Sequence, residues 1–142
     1  MLDVTSQIPQ CCTVGLARAA EAMVRALGGG ALTLLFPMLT PSDEQSVAGL
    51  GLKSQSIQQI EIAPVAIVSL ARTSSLAAAR LEILIPGSAV FMAMAERLAA
   101  TPQALFDSAL GIIHEGRLLR VESWSAEQFA GSPYMFRLVV QG

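Results

Sequence analysis

Residues 111–141, GIIHEGRLLRVESWSAEQFAGSPYMFRLVVQ, decide how this chain folds. Near its end, Tyr134, Phe136, Leu138 and Val140 alternate with Met135, Arg137, Val139 and Gln141. That two-residue period belongs to a half-buried strand. Upstream, Leu119 and Val121 alternate with Arg120 and Glu122 in the same way. Between Ile112-Ile113 and that strand, His114-Glu115-Gly116 reads as a tight turn in which glycine supplies the positive φ. Ser125 to Pro133 reads as a loop. Three strands so closely spaced form an antiparallel meander. Arg137 and Glu122 both fall on its outward face and are expected to pair, worth less than about 1 kcal/mol if exposed.

The same alternation recurs upstream. Arg80 to Ile85 carries Leu81, Ile83 and Ile85 on one face, and Pro86-Gly87 stops it. Ile57 to Leu70 is a long extended run. Pro64 within it lacks a ladder donor, so this strand is expected at an edge, or else bulged or bent. Ala31 to Met38, bounded by glycines and Pro41, is another strand. Thr40 to Ser56 is polar and reads as the longest loop. Arg72 to Ala79 is a turn or a short helix, and Ser88 to Ala100 suits helix or strand equally.

Two helices stand out. Leu16, Ala20, Met23, Val24 and Leu27 recur at helical spacing, opposite Arg18, Glu21 and Arg25. Thr13 caps the start and Gly28 ends it, predicting a helix over 13–28, preceded by an irregular arm over 1–12. Thr101-Pro102 is a cap followed by a first-turn proline. With Leu105, Phe106, Ala109 and Leu110 it predicts a helix over 102–110, closed by Gly111. The chain therefore reads as one mainly β (α+β) domain over 1–142: a small antiparallel β-barrel or sandwich of about six strands, with an N-terminal helix and one short inserted helix.

Composition bears on partners. The chain has 142 residues, is 53% hydrophobic and only 14% charged, and carries a net charge of −2. Its mean hydropathy is +0.56. A domain of this size normally covers its water-facing surface with charge, so other protein is expected to cover part of this one. The longest uncharged stretch, Ala26 to Ser42, is broken by Gly28, Gly29, Gly30 and two prolines and falls short of the ~20 apolar residues of a membrane-spanning helix. No basic field collects phosphates, so DNA is not expected as a tightly held ligand. No Lys or Arg precedes Arg18, which argues against a secretory signal and for the cytoplasm.

Catalytic groups are few. The one histidine, His114, lies in a turn beside Glu115. A nucleophile pair would have to join it to Cys11 or Cys12, and no flanking signature supports that. Cys11 and Cys12 are vicinal, a poor geometry for a disulfide, and read as small hydrophobes. Asp43-Glu44 is an acidic pair in the polar loop. The Gly28–Gly30 run follows a helix and precedes a strand, the reverse of a phosphate-binding loop. No metal-ligand spacing and no cofactor motif is present, so no catalytic, metal or cofactor residue is assigned. Trp124 and Tyr134 read as core residues with polar tips, and Met92 and Met94 as core filling or adaptable contact.

The runs Leu105–Ile113, Gly116–Val121 and Gly131–Leu138 resemble the end of small phage neck proteins, the head–tail connector, head-completion or head-closure proteins. Ala31–Pro37 after a helix resembles their first barrel strand, and Arg80–Pro86 their middle one. The resemblance is one of element order over about half of the chain. It implies a subunit of a virion, assembled in the host cytoplasm, that forms a homo-oligomeric ring. Portal or adaptor would bind one side and tail the other, with DNA passing through the channel without specific binding. It transfers no catalytic residue. Expected contacts are the 1–12 arm, the outer helix, and exposed apolar loop residues: Leu50, Leu52 and Phe129. Two other readings stand beside it. One is a small barrel binding an apolar ligand or protein partner, with Trp124, Tyr134 and Phe136 at its mouth. The other is a hydrolase using Cys12 or a serine with His114.

Overall fold

A computed structural model describes residues 4–38, 57–69 and 80–142, with side chains from residue 15 onward. Its elements in chain order are α1 (Val4–Ala26), β1 (Gly30–Pro37), β2 (Ile57–Ser69), β3 (Arg80–Pro86), α2 (Gly87–Arg97), α3 (Pro102–Ser108), β4 (Gly111–His114), β5 (Arg117–Phe129) and β6 (Ser132–Gln141). The six strands close into an antiparallel barrel in the order β1-β2-β3-β6-β5-β4, with β4 pairing back onto β1. The mainly β expectation holds, and of barrel and sandwich it is the barrel that forms.

The C-terminal meander forms with longer strands than its sequence pattern predicts. Glu115 (φ 49) and Gly116 (φ 75) make a two-residue turn with both residues left-handed, the type that matches strand twist. Ala130 (φ 53) and Gly131 (φ 79) repeat the device between β5 and β6. The loop expected over Ser125–Pro133 thus shrinks to that pair, and β5 continues to Phe129. Register shifts in the β5–β6 pairing at Val121/Ser123 and Glu127/Gln128 interrupt the simple alternation, which hid the strand.

β2 is not an edge strand, because it pairs with both β1 and β3. The bulged alternative is realised: the β1–β2 register shifts between Gly30 and Leu32, opposite Val65 and Ile62, and Pro64 falls within the skipped stretch.

Two helix expectations need correction, and one open reading is decided. Helix α1 starts at Val4, so the stretch read as an arm is largely helical. Pro9 lies in its second turn, where a missing N–H removes only one ladder bond. Its C-terminus is as expected: Gly29 N donates to the Val24 carbonyl (3.1 Å) and Gly28 N to that of Arg25 (3.3 Å), the bond pair of a Schellman end. Ser88–Ala100 resolves as helix. Pro86 ends β3, α2 follows, and Leu98 in the left-handed region stops it. Helix α3 is capped by Thr101, whose Oγ1 accepts from Ala104 N at 3.1 Å, but ends at Ser108. Gly111 is therefore no C-cap. It opens β4, and a Cβ there would lie 3.1 Å from Leu118 Cδ1.

The antiparallel order puts the ends of β1, β3 and β5 and the starts of β2, β4 and β6 at one end of the barrel. The α2–α3 segment, which joins β3 to β4, closes that end. It inserts Ala89, Val90, Ala93, Leu105 and Phe106 among Leu34, Phe36, Ile60, Ile85, Phe136 and other inward residues. Helix α1 packs outside the wall, with Ala20 and Val24 on Ala66 of β2 and Met135 of β6 and beside Leu84 of β3.

Candidate functional site

The barrel interior is occupied by its own side chains. Phe106, Trp124 and Phe136 stack in a cluster with ring centroids 5.2–6.2 Å apart. Phe91 meets Phe136 edge-on at 6.4 Å. Trp124 and Phe136 belong to this core, whereas Tyr134 packs in the separate cluster under α1. The three aromatics are therefore not gathered in one place: two pack with α2 and α3 in the core and the third lies under α1.

His114 ends β4. Among the described residues its polar neighbours are the Ala31 carbonyl, 3.4 Å from Nδ1, and the Glu115 carboxylate, 3.9 Å from Nε2. Neither is a nucleophile. The side chains of Cys11 and Cys12, and all of Leu50, Leu52, Asp43 and Glu44, lie outside the described residues. No group of three His, Cys, Asp or Glu among the described residues could hold a metal ion. No helix among them is long and apolar enough to cross a membrane.

Among the described residues one charged side chain is buried. Arg97, at the end of α2, is 6% exposed. Its Nη1 donates to the Pro37 carbonyl (2.6 Å) and to Gln58 Oε1 (2.9 Å). Its guanidinium carbon sits 4.7 Å from the centre of the Phe36 ring. Arg97 thus clamps α2 to the end of β1 and the start of β2 through neutral acceptors and a π face.

The outer surface divides into unlike parts. Over β3, β6 and β5 it is a ladder of ion pairs. Arg80 holds Glu122, and Arg137 lies 3.2 Å from Glu82 and 3.4 Å from Glu127. The expected Arg137–Glu122 pair is absent, because Glu122 is claimed by Arg80 from across β6. The hydrogen bond from Arg80 holds the Glu122 carboxyl below the usual carboxylate range and raises Arg80 in turn. On α1, the hydrogen bond from Arg25 lowers Glu21 in the same way.

Elsewhere several large apolar side chains are exposed. Met23 and Leu27, which share the apolar face of α1 with Ala20 and Val24, are 47% and 57% exposed. Ile57 and Leu118, on the barrel wall, are 50% and 66% exposed. Phe91 and Met92 of α2 and Leu98 just after it face water at the closed end, and Phe129 is exposed at the tip of the β5–β6 hairpin. Of the contact residues expected from sequence, Phe129 is exposed, at the end of β5 rather than in a loop. Leu118 lies in a run that alternation explains without exposing it, and Met92, read as core filling or adaptable contact, is exposed.

Comparison with known protein families, curated proteins and solved structures finds no match to this chain.

Proposed function

We propose that this chain is a structural subunit of a larger assembly and, following the element order it shares with phage neck proteins, a head–tail connector subunit of a phage or prophage-like particle. Copies form a ring that binds portal or adaptor on one side and tail on the other. DNA slides through without specific binding. The subunit is assembled in the host cytoplasm and resides in the virion. It has no catalytic role and uses no cofactor.

One observation carries this reading: a barrel filled by its own core leaves several large apolar side chains in water, on α1, on the β-wall and on α2. Surface of that kind marks protein contacts. The filled interior counts against the alternative of a binding module for an apolar ligand, and a module for a protein partner would use the same outer surface. Leu50, Leu52 and Phe129 remain proposed contacts.

Size-exclusion chromatography with light scattering, followed by electron microscopy of the main peak, tests the proposal. A discrete ring supports it. A monodisperse monomer at high concentration that docks to no neck component refutes it.

A further inference from the structure

Arginines on the surface of this barrel either hold a glutamate, as Arg25, Arg80 and Arg137 do, or face water, as Arg18, Arg117 and Arg120 do. Arg97 does neither. It is 6% exposed, and no carboxylate among the described residues pairs with it. A charge taken out of water ordinarily gains an opposite charge nearby, because neutral acceptors recover only part of its lost hydration. The buried guanidinium is thus the one that most needs an anion, and the fold supplies none from the described residues.

Three elements fix its orientation. The β1–β2 register sets Phe36 opposite Gln58 and Pro37 opposite Ile57. Phe36 is buried and offers its ring to the guanidinium carbon at 4.7 Å. The Pro37 carbonyl and Gln58 Oε1 both accept from Nη1, which uses both hydrogens of that nitrogen. Nε and Nη2 donate to no protein group among the described residues. Neither atom is sealed from water, since among the described residues no buried side-chain nitrogen or oxygen lacks a partner. The guanidinium is therefore held by one nitrogen and opens to solvent along its Nε–Nη2 edge. That edge presents two parallel N–H groups, the pair that matches two oxygens of a carboxylate or a phosphate.

We infer that the Nε–Nη2 edge of Arg97, at the closed end of the barrel, binds one small oxyanion, a phosphate or a carboxylate. The anion accepts both N–H groups and neutralises the buried charge. Arg97 then ties α2 to β1 and β2 as half of an ion pair and not as a lone cation. The site is separate from the apolar surfaces proposed as protein contacts, and it stands whether or not copies of the chain form a ring.

Titration of the full chain with sodium phosphate and with sodium acetate at neutral pH, each against sodium chloride at equal ionic strength, tests the site by thermal unfolding. For the unmodified protein, Tm is expected to rise along a one-site saturation curve in at least one of the two anions and not in chloride. Arg97→Lys keeps the charge but loses the two-pronged edge and one bond to the anion, so the half-saturating concentration is expected to rise about tenfold or more. Arg97→Met is expected to keep only the gradual, non-saturating rise that an excluded salt gives any protein. Saturation by phosphate alone assigns a phosphate, by acetate alone a carboxylate, and by both a site that takes either. The ¹⁵N resonance of the Arg97 Nε–H group, read in the unmodified protein so that no variant has to fold, is expected to shift over the same concentration range. The site is overturned if neither anion exceeds chloride, if the Arg97 Nε–H resonance does not move, or if Arg97→Lys saturates at the same concentration as the unmodified protein.

Discussion

Replacing Arg97 by methionine keeps a long side chain in place and removes the only buried charge among the described residues. Two hydrogen bonds are lost, to the Pro37 carbonyl and to Gln58 Oε1. Bonds from a charged donor are worth about 1.5–3 kcal/mol each, and the acceptors left behind carry a similar desolvation cost. The contact with the Phe36 ring adds about 0.5–2 kcal/mol. Against this stands the cost of burying a guanidinium, several kcal/mol, which methionine does not incur. The balance favours arginine by about 2–4 kcal/mol, since removing one partner from a buried polar cluster costs more than replacing the whole cluster. At about 3–4 °C per kcal/mol for a chain of this size, Tm falls by about 6–16 °C. Arg97→Lys, which keeps the charge and a donor, is expected to recover part of the loss. Urea unfolding followed by Trp124 fluorescence reads the change directly, because that ring sits in the core beside Phe106 and Phe136. All variants are compared at one protein concentration, so that association does not enter the difference. If Arg97→Met is as stable as the unmodified protein or more stable, desolvation outweighs the bonds and Arg97 is no clamp.

Gly87→Ala would place a Cβ 2.7 Å from the Pro133 carbonyl oxygen and 3.2 Å from Tyr134 Cα. Both are backbone atoms of β6, so a loss of about 1–3 kcal/mol is expected in urea unfolding, and unchanged stability would refute the close approach. Thr101→Ala removes the cap on Ala104 N and is expected to cost about 1 kcal/mol by the same measurement. Glu122 is held below its ordinary range by Arg80, so its contribution is present above the usual carboxylate pKa and lost as pH falls through the lowered value. The stability gap between the unmodified protein and Glu122→Gln is therefore expected to be constant near neutral pH and to close in acid; a gap that persists at low pH contradicts this. Phe129→Ser leaves the fold unchanged by circular dichroism and weakens assembly if the hairpin tip is a contact.

The parts legible in the sequence are those whose signal is local. Tyr134 to Val140 alternates because one face of β6 meets the core, and that period needs no knowledge of the partner strand. Glu115-Gly116 and Thr101-Pro102 specify a turn and a cap within a few residues. What could not be read depends on distant partners. The apolar pattern of α1 is wider than the stripe that the barrel buries, so Val24 and Met23 looked alike although one is buried and the other exposed. Gly111 sits at C′ spacing from a helix, yet its smallness serves the overlying Leu118 on another strand. Arg97 reads as an ordinary last-turn cation, and only the meeting of α2 with β1 and β2 buries it. Alternation puts Glu122 and Arg137 on one face, but it cannot show that Arg80, two strands away, takes Glu122 while Arg137 meets Glu82 and Glu127.

The central claim is that the apolar faces of this barrel are covered by further copies of the chain. Native mass spectrometry of the purified protein over a concentration series measures that state directly. The account predicts one closed oligomer of fixed copy number that persists on dilution into the low micromolar range. A single-copy spectrum at every concentration would contradict it.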